Sequence, residues 1–322
     1  MKIFINKDLE KLFKKRGSYV FCRRKDLNKL SLNEKIYFVG NSLKDLQIAR
    51  SLDFVSIIIN TSKLKPVKGK ATPDYFIDNI SQVKKINNRK SDQIIFNEIH
   101  VSKSPKFKDL NSKEKVLLQD HFRRIQQHSL VTGEFMRLQA IVLNEDSDLW
   151  NTTGVLHDID YGKTYFNTKG HGFDSKPILV KYNLNKNLID AITYHTIPKY
   201  CKTKFLLGWS TYISEMFTKR FVHTMRKKGC IDPSGVTFDD FLTVYKGNDF
   251  RKNERLTRFE DSSMLWGEFK LMMEEHDKTI HNFPIPKETL FSLCQKAFHE
   301  LNVFPLGITH LKETSIIKLL AN

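Results

Sequence analysis

The sequence places a histidine and an aspartate side by side, His157 and Asp158, where the apolar run of TTGVLHDIDYGKT ends. Three other histidines stand apart along the chain: His128 in QQHSL, His171 in KGHGF and His195 in AITYHTIP. Neutral imidazoles and carboxylates that converge from several elements are the ligands of Zn, Mn and Fe sites. Two metal ions that share one carboxylate suit the hydrolysis of phosphoesters. The five residues are therefore candidate metal ligands, although a helix that ends in water would also carry such polar residues.

The elements that must position these residues divide into two parts. In the first part, the apolar segments 36–40 and 55–60 predict buried strands, and apolar residues at helical spacing predict a helix between them. Two strands joined by one helix of this length predict a parallel pair. The segment 71–83 adds a short strand and a closing helix, and the polar segment 87–93 predicts a break. We therefore predict a small parallel α/β domain over residues 1–95.

The second part is predicted to be helical. Residues 111–143 contain no proline and a single glycine, and their composition favours a long helix. Shorter helical patterns follow at 146–157, 174–181, 185–196, 203–226, 237–245, 260–279 and 287–301. Few segments show the alternation that is typical of strands. We predict an all-α domain over residues 96–322, so the expected fold class is α+β with two domains.

The helical part resembles the HD superfamily of metal-dependent phosphohydrolases over about residues 115–220. The likeness lies in the apolar run into LHDIDYG, in the HG that follows it and in the helix AITYH, which occur in this order. The resemblance leaves Mn, Fe, Zn, Mg and Ni open as the bound metal. It implies ligands for two divalent ions, with His128, His157 and Asp158 at the first and His171 and His195 at the second.

We assign catalytic roles in such a site to Asp158 and to Lys163, which follows the motif directly. Lys163, together with Lys169 and Lys176, has the charge to hold substrate phosphates, although a solvated loop would contain such lysines as well. A divalent metal lowers the pKa of bound water toward about 7, which is the chemistry that this family uses on phosphoesters. The expected partner is a nucleotide or another phosphorylated small molecule.

The sequence departs from the family pattern at one position. The family completes its first metal site with an aspartate on a later helix, and the matching stretch FLLGWSTYISEM has Ser210 there. A serine hydroxyl is a poor ligand for a divalent ion, and Asp160 or Glu215 are the candidates to replace the missing carboxylate. If neither does, a single metal is bound elsewhere, the site is weakened, or the enzyme is dead and retained as a binder. A Ser210→Asp change is expected to raise the affinity for metal.

The first part is similar to the C-terminal half of haloacid-dehalogenase-like phosphatases over about residues 18–85, in the stretches FCRRKDLNKL, KIYFVGNSLKDLQIARS and PDYFIDNISQV. Arg24 or Lys25 would be the basic residue of that family. The acidic motif reads GNSLKD, with Asn41 in place of the first carboxylate and Asp45 kept. No counterpart of the nucleophilic aspartate is expected, since the chain begins too late to contain its strand. The resemblance implies a degenerate appendage without bound Mg²⁺.

Composition bears on the binding partner and the cell compartment of the protein. The net charge of +17 favours nucleic acid or another polyanion as a partner, although an AT-biased coding sequence would produce the same scattered lysines. The four cysteines are far apart, which predicts free thiols in a reducing cytoplasm. No apolar run approaches the roughly 18 residues of a membrane span, and the charged N-terminus does not read as a signal peptide.

The sequence therefore supports two main hypotheses for the function. The first is an HD-type metal-dependent phosphohydrolase, acting on a nucleotide or other phosphoester and carrying a non-catalytic appendage. The alternative is a catalytically degenerate protein that senses a nucleotide or docks a partner. The five histidine and aspartate residues favour the enzyme, and the apparent loss at Ser210 favours the binder. A nucleic-acid-processing factor is a third interpretation that only the charge supports.

Overall fold

The structure is a computed structural model. It describes residues 2–7, 19–23, 27, 36–52, 54–59, 74–77, 89–100, 109–164, 171–196, 201, 205–230, 232–246 and 283–301. Within these ranges a parallel sheet comes first in the chain, and helices joined by turns follow it.

The sheet has five strands, all parallel, in the order β2-β1-β3-β4-β5. The strands are β1 Lys2–Asn6, β2 Tyr19–Cys22, β3 Ile36–Gly40, β4 Val55–Ile59 and β5 Tyr75–Ile77, and the helix α1 Leu43–Ser51 lies between β3 and β4. Every residue of β3 and β4 is buried, as expected for central strands that are covered on both faces. The predicted parallel strands at 36–40 and 55–60 are confirmed, whereas β1 and β2 were not predicted.

The described ranges contain ten α-helices. After α1 they are α2 Lys90–Glu98, α3 Ser112–Val142, α4 Ser147–Leu156, α5 Tyr161–Thr164, α6 Ser175–Lys181, α7 Lys186–Thr193, α8 Phe205–Lys228, α9 Phe238–Lys246 and α10 Lys287–Leu301. A short 3₁₀ helix, Pro233–Gly235, precedes α9. The mainly helical second part is confirmed, and the helix predicted at 260–279 lies outside the described residues.

The polar segment 87–93 is not the break that the sequence predicted, because α2 begins inside it at Lys90. The Asp92 carboxylate accepts a hydrogen bond from the backbone N–H of Arg89 at 3.3 Å and so caps the first turn. Ile94 and Ile95 are buried on the same helix. The predicted domain boundary at residues 95/96 falls within α2 and stays a prediction.

The sheet and the helices share one hydrophobic core. Val39 of β3 and Ile57 of β4 belong to the same buried cluster as Phe122 and Phe135 of α3. The opposite face of the sheet is covered by a smaller cluster that includes Phe38 and residues of α1. The apolar side chains of the long helix α3 and of the central strands thus form one continuous core.

Asp45 lies in α1, as predicted, and its carboxylate serves the local structure. It accepts hydrogen bonds from Asn6 Nδ2 at 3.0 Å, from the backbone N–H of Asn41 at 3.1 Å and from Ser42 Oγ at 2.7 Å. The strand β1 therefore brings an amide beside Asp45 where the sequence suggested that no strand would stand. Arg24 and Lys25 lie outside the described residues. A parallel sheet is common to many families, so the resemblance to haloacid-dehalogenase-like phosphatases stays a prediction.

No helix within the described ranges is long and apolar enough to cross a membrane. All four cysteines are free thiols, with Cys201 and Cys294 buried and Cys22 and Cys230 half-buried. For Cys294, burial raises the pKa of the thiol well above its usual range, so the group is a packed, unreactive one.

Candidate metal centre

Two helices that cross closely bring the first candidate ligands together. His128 lies on α3, and His157 and Asp158 follow α4 directly. At the crossing a Cβ atom on Gly154 would stand 2.7 Å from the Cα of Gly133, so only glycine permits this approach. The ring centroids of His128 and His157 are consequently 5.1 Å apart.

The other two histidines lie in turns at helix ends. His171 precedes α6 and His195 follows α7, and their ring centroids are 4.8 Å apart. The two turns touch at Gly172. This residue has a positive φ of 88°, and a Cβ on it would stand 2.8 Å from the Thr193 carbonyl oxygen. A side chain at residue 172 would be strained and would push the two turns apart.

Asp158 stands between these two pairs of histidines. Its Oδ2 lies 3.2 Å from His157 Nε2 and 3.8 Å from His128 Nε2. Its Oδ1 lies 3.3 Å from His171 Nε2 and 3.8 Å from His195 Nε2. Two groups of three ligand atoms result, each within 4.8 Å of one another and both containing Asp158. The structure thus brings together all five residues that the sequence named as metal ligands.

Each histidine is held through its other ring nitrogen. Nδ1 of His157 donates to the Gly154 carbonyl at 2.7 Å, and Nδ1 of His195 donates to the Ile192 carbonyl at 2.7 Å. A carbonyl oxygen can only accept, so both Nδ1 atoms carry a proton. Nε2 of His157 faces Asp158, and Nε2 of His195 lies 3.2 Å from His171 Nε2 and 3.8 Å from Asp158 Oδ1. Hydrogen bonds of this kind fix the tautomer and the ring orientation of metal-binding histidines.

Asp160 performs the same task for His171. One carboxylate oxygen lies 3.1 Å from His171 Nδ1, and the other accepts the backbone N–H of Gly172 at 2.7 Å. The carboxylate is fully buried. Asp160 therefore orients a ligand, and it does not replace the missing aspartate as the sequence had suggested.

The ligand atoms themselves fit a metal ion. Nε2 of His128, Nε2 of His157 and Oδ1 of Asp158 are buried and lack a hydrogen-bond partner within the described part of the chain. Buried polar atoms without partners are costly, and they are retained where an ion or a reaction uses them. A set of imidazole nitrogens and one shared carboxylate is the donor set that divalent transition metals prefer.

The charge states of the histidines fall into two kinds. Burial, together with Lys219 and His157, lowers the pKa of His128 to about 3. Burial, together with His171, lowers the pKa of His195 to about 4. Both imidazoles are neutral at pH 7, which is the form that binds a metal.

The remaining groups are coupled through Asp158. Burial opposes charge on His157, but Asp158 raises the pKa of this imidazole above its usual value. Burial also opposes charge on His171, but Asp160 and Asp158 raise its pKa well above the usual range. Burial favours a protonated Asp158, but His157 and His171 outweigh it and hold the pKa of the carboxyl well below its usual range. Asp158 is thus ionised and ready to bind cations.

Ser210 does not occupy the position that the sequence comparison gave it, and this correspondence is wrong. Its Oγ donates to Gln139 Oε1 at 2.8 Å. Gln139 lies about three turns, or about 16 Å, beyond His128 along α3. The helix α8 runs antiparallel to α3, with Ser214 beside Gln139 and Thr218 beside His128. Ser210 therefore lies outside the centre, and its serine says nothing about the metal site.

The part of α8 that reaches the centre carries Glu215, Thr218 and Lys219. Thr218 Oγ1 lies 3.4 Å from His128 Nδ1, and the charge of Glu215 acts on His128, His157 and His195. Glu215 is buried and accepts a hydrogen bond from Lys219. Sequence reasoning named Glu215 only as a replacement and missed Thr218 and Lys219. Their spacing, three and four residues after Glu215, was the available signal.

The predicted phosphate-binding lysines are less informative. Lys163 lies in α5, but its side chain is outside the described residues, as is the whole of Lys169. Lys176 is exposed on α6. The catalytic role given to Lys163 stays a prediction.

Residues 125–220 match the family model of the HD domain. All five candidate ligands lie within that segment, so the match supports the resemblance of the helical part to the HD superfamily. The matched segment does not include the sheet. No curated protein and no solved structure matches the chain.

Proposed function

We propose that the protein is a metal-dependent phosphohydrolase of the HD type. The observation that carries the proposal is the position of Asp158, whose two oxygens each face a different pair of histidines. One cation would be held by His128, His157 and Asp158, and a second by Asp158, His171 and His195. A carboxylate shared in this way is typical of two-metal hydrolytic sites.

Bound divalent metals would supply an acidified water and positive charge for phosphoryl oxygens. The chain's own residues do the positioning. Asp158 would contribute a carboxylate oxygen to each of the two cation sites. The carbonyl groups of Gly154 and Ile192 and the carboxylate of Asp160 keep the histidine rings turned toward it.

The proposed substrate class is a phosphoester, such as a nucleotide or another phosphorylated small molecule. The net charge of +17 would favour any polyanionic substrate and keeps a nucleic-acid phosphodiester among the candidates. The argument for a catalytically degenerate binder depended on Ser210. Because Ser210 bonds to Gln139 outside the centre, the serine itself gives that alternative no support.

The test combines metal analysis with an assay of hydrolysis. The purified protein is expected to contain close to two divalent ions per chain by elemental mass spectrometry. It should hydrolyse p-nitrophenyl phosphate, bis(p-nitrophenyl) phosphate, a nucleotide or an oligonucleotide. Asp158→Asn should abolish metal binding and activity, while His299→Ala, at an exposed histidine of α10, should change neither. A protein that takes up no divalent metal would refute the proposal.

A further inference from the structure

The helix α8 brings a charged pair to the centre, of which the HD resemblance offered Glu215 only as a replacement metal ligand and gave Lys219 no role. The Lys219 ammonium donates to a carboxylate oxygen of Glu215, one turn earlier on the same helix. The Glu215 side chain is 4 % exposed, whereas 28 % of the Lys219 side chain remains accessible. The pair therefore extends from the buried interior to the surface of the protein.

Lys219 lies at the level of the metal ligands. Its neighbour Thr218 has Oγ1 3.4 Å from His128 Nδ1, which fixes this turn of α8 against His128. The positive charge of Lys219 also acts on His128 and on Asp158. Lys219 is therefore on the turn of α8 that lies against His128, and its charge acts on both groups.

Access to the centre also points to this side. Of the ligand side chains, His157 and His195 are fully buried, Asp158 is 3 % exposed and His171 is 9 % exposed, whereas His128 is the most accessible at 15 %. His128 and Lys219 are both partly accessible, and Thr218, the neighbour of Lys219, lies against His128.

We propose that Lys219 binds the phosphoryl oxygens of the substrate, and that Glu215 holds the ammonium in position for this. An ammonium carries three donor protons, so it can hold a carboxylate and an anion at the same time. Burial of Glu215 keeps one end of the pair fixed, and the lysine stem leaves the other end adjustable. This inference rests on the proposed function, since it names how the same site recognises a phosphoryl group.

The test measures phosphate binding separately from catalysis. Inorganic phosphate is titrated calorimetrically into the metal-loaded wild-type protein and into Lys219→Gln, Lys219→Met and Lys219→Arg. Neutral replacements are expected to weaken phosphate binding about ten-fold or more, because a charge-assisted hydrogen bond is lost. Lys219→Arg should restore most of the affinity. With p-nitrophenyl phosphate the neutral variants should show a raised KM.

Lys227→Gln is the matched control, because Lys227 is an exposed lysine two turns further along α8. Metal content and thermal unfolding are measured for every variant. Wild-type phosphate affinity in metal-loaded Lys219→Gln and Lys219→Met would overturn the inference and leave the proposed function standing. Loss of metal in these variants would overturn it too, since Lys219 would then support the centre itself. A wild-type protein without metal would refute the proposed function, and this inference with it.

Discussion

Arg123 of α3 and Asp74, the residue before β5, form a buried ion pair with 2.5 Å between Nη1 and Oδ2. The same carboxylate oxygen accepts the backbone N–H of Ser56 at 2.7 Å, and Gln127 Nε2 donates to the Asp74 carbonyl at 3.1 Å. Gln127 is the residue before His128. The sheet therefore anchors the turn of α3 that presents His128, the first candidate metal ligand.

Removing Asp74 should destabilise the protein strongly. Asp74→Ala would leave the Arg123 guanidinium buried without its carboxylate, and such losses cost about 3–5 kcal/mol. The free energy of unfolding in urea measures this cost. Lys296→Ala is the control, because its pair with Glu300 is largely exposed and should be worth at most about 1 kcal/mol. Equal effects of the two changes would show that the buried pair does not join the two parts.

The close crossing of α3 and α4 should not tolerate a methyl group. In Gly154→Ala the new Cβ would stand 2.7 Å from Gly133 Cα, so the helices must separate. Such overpacking costs about 1–3 kcal/mol, and His157 should move away from His128 and bind metal less tightly. Urea unfolding and metal titration measure the two effects. Gly229→Asn should be nearly neutral, because a Cβ at this position would have no atom within 4 Å beyond its chain neighbours, and asparagine tolerates a positive φ. If Gly154→Ala were as stable as the wild type, the close approach of α3 and α4 at this position would be contradicted.

Ser210→Asp should not improve the metal centre. The new carboxylate would be buried beside Gln139, about 16 Å along α3 from His128, and would lack a cation there. We expect lower stability, since a buried unpaired charge is costly, and no gain in metal affinity. Titration with a competing chromophoric chelator measures the affinity. A tighter site in this variant would restore the correspondence that the structure rejects.

Asp160→Asn should affect the second cation more than the first. The amide has one accepting oxygen and no charge, so it cannot accept from both His171 Nδ1 and the Gly172 N–H as the carboxylate does. Changes to such supporting groups weaken metal binding by about 10–100-fold. Elemental analysis after dialysis is therefore expected to give close to one ion per chain in the variant and two in the wild type. Loss of both ions together would mean that Asp160 supports the whole centre.

Metal binding should release protons at pH 7. Because the pKa values of His157 and His171 are raised, these imidazoles hold more proton at pH 7 in the metal-free protein than a free imidazole does, and a metal must displace those protons. Affinity should thus rise with pH from below 6.5 through the raised pKa values. His128 and His195, with pKa values of about 3 and 4, add no protons in this range. Calorimetry in two buffers with different ionisation enthalpies counts the protons. No buffer dependence at pH 7 would contradict the assignment.

The sequence predicted the long elements of the fold better than the short ones. The helix α3 has a composition and a capping residue, Asn111, that act locally, so its start could be predicted. The strand β1 has only five residues and stands before a lysine-rich stretch. Its Ile3 and Ile5 are buried by residues that are distant in the sequence, and no local pattern contains that information.

The candidate site shows the same limit. The family motifs named the histidines and Asp158, of which His157, Asp158, His171 and His195 lie at the ends of helices and His128 lies within α3. The alignment of α8 with α3 decides whether Ser210 or Glu215 lies near the centre. That alignment depends on side-chain contacts such as the one between Thr132 and Thr218, at 3.3 Å, and these form only in the folded protein. Ser210 and Glu215 are little more than one helical turn apart on α8, so a small error in this alignment produced the wrong assignment.

The shared position of Asp158 has a consequence for how the proposed activity could be lost over evolutionary time. A mutation at any one histidine removes a ligand from one half of the centre and leaves the other half complete. A mutation at Asp158 damages both halves in a single step. Decay through the histidines would therefore be gradual, with partly active ancestors along the way, whereas decay through Asp158 would be abrupt and hard to reverse.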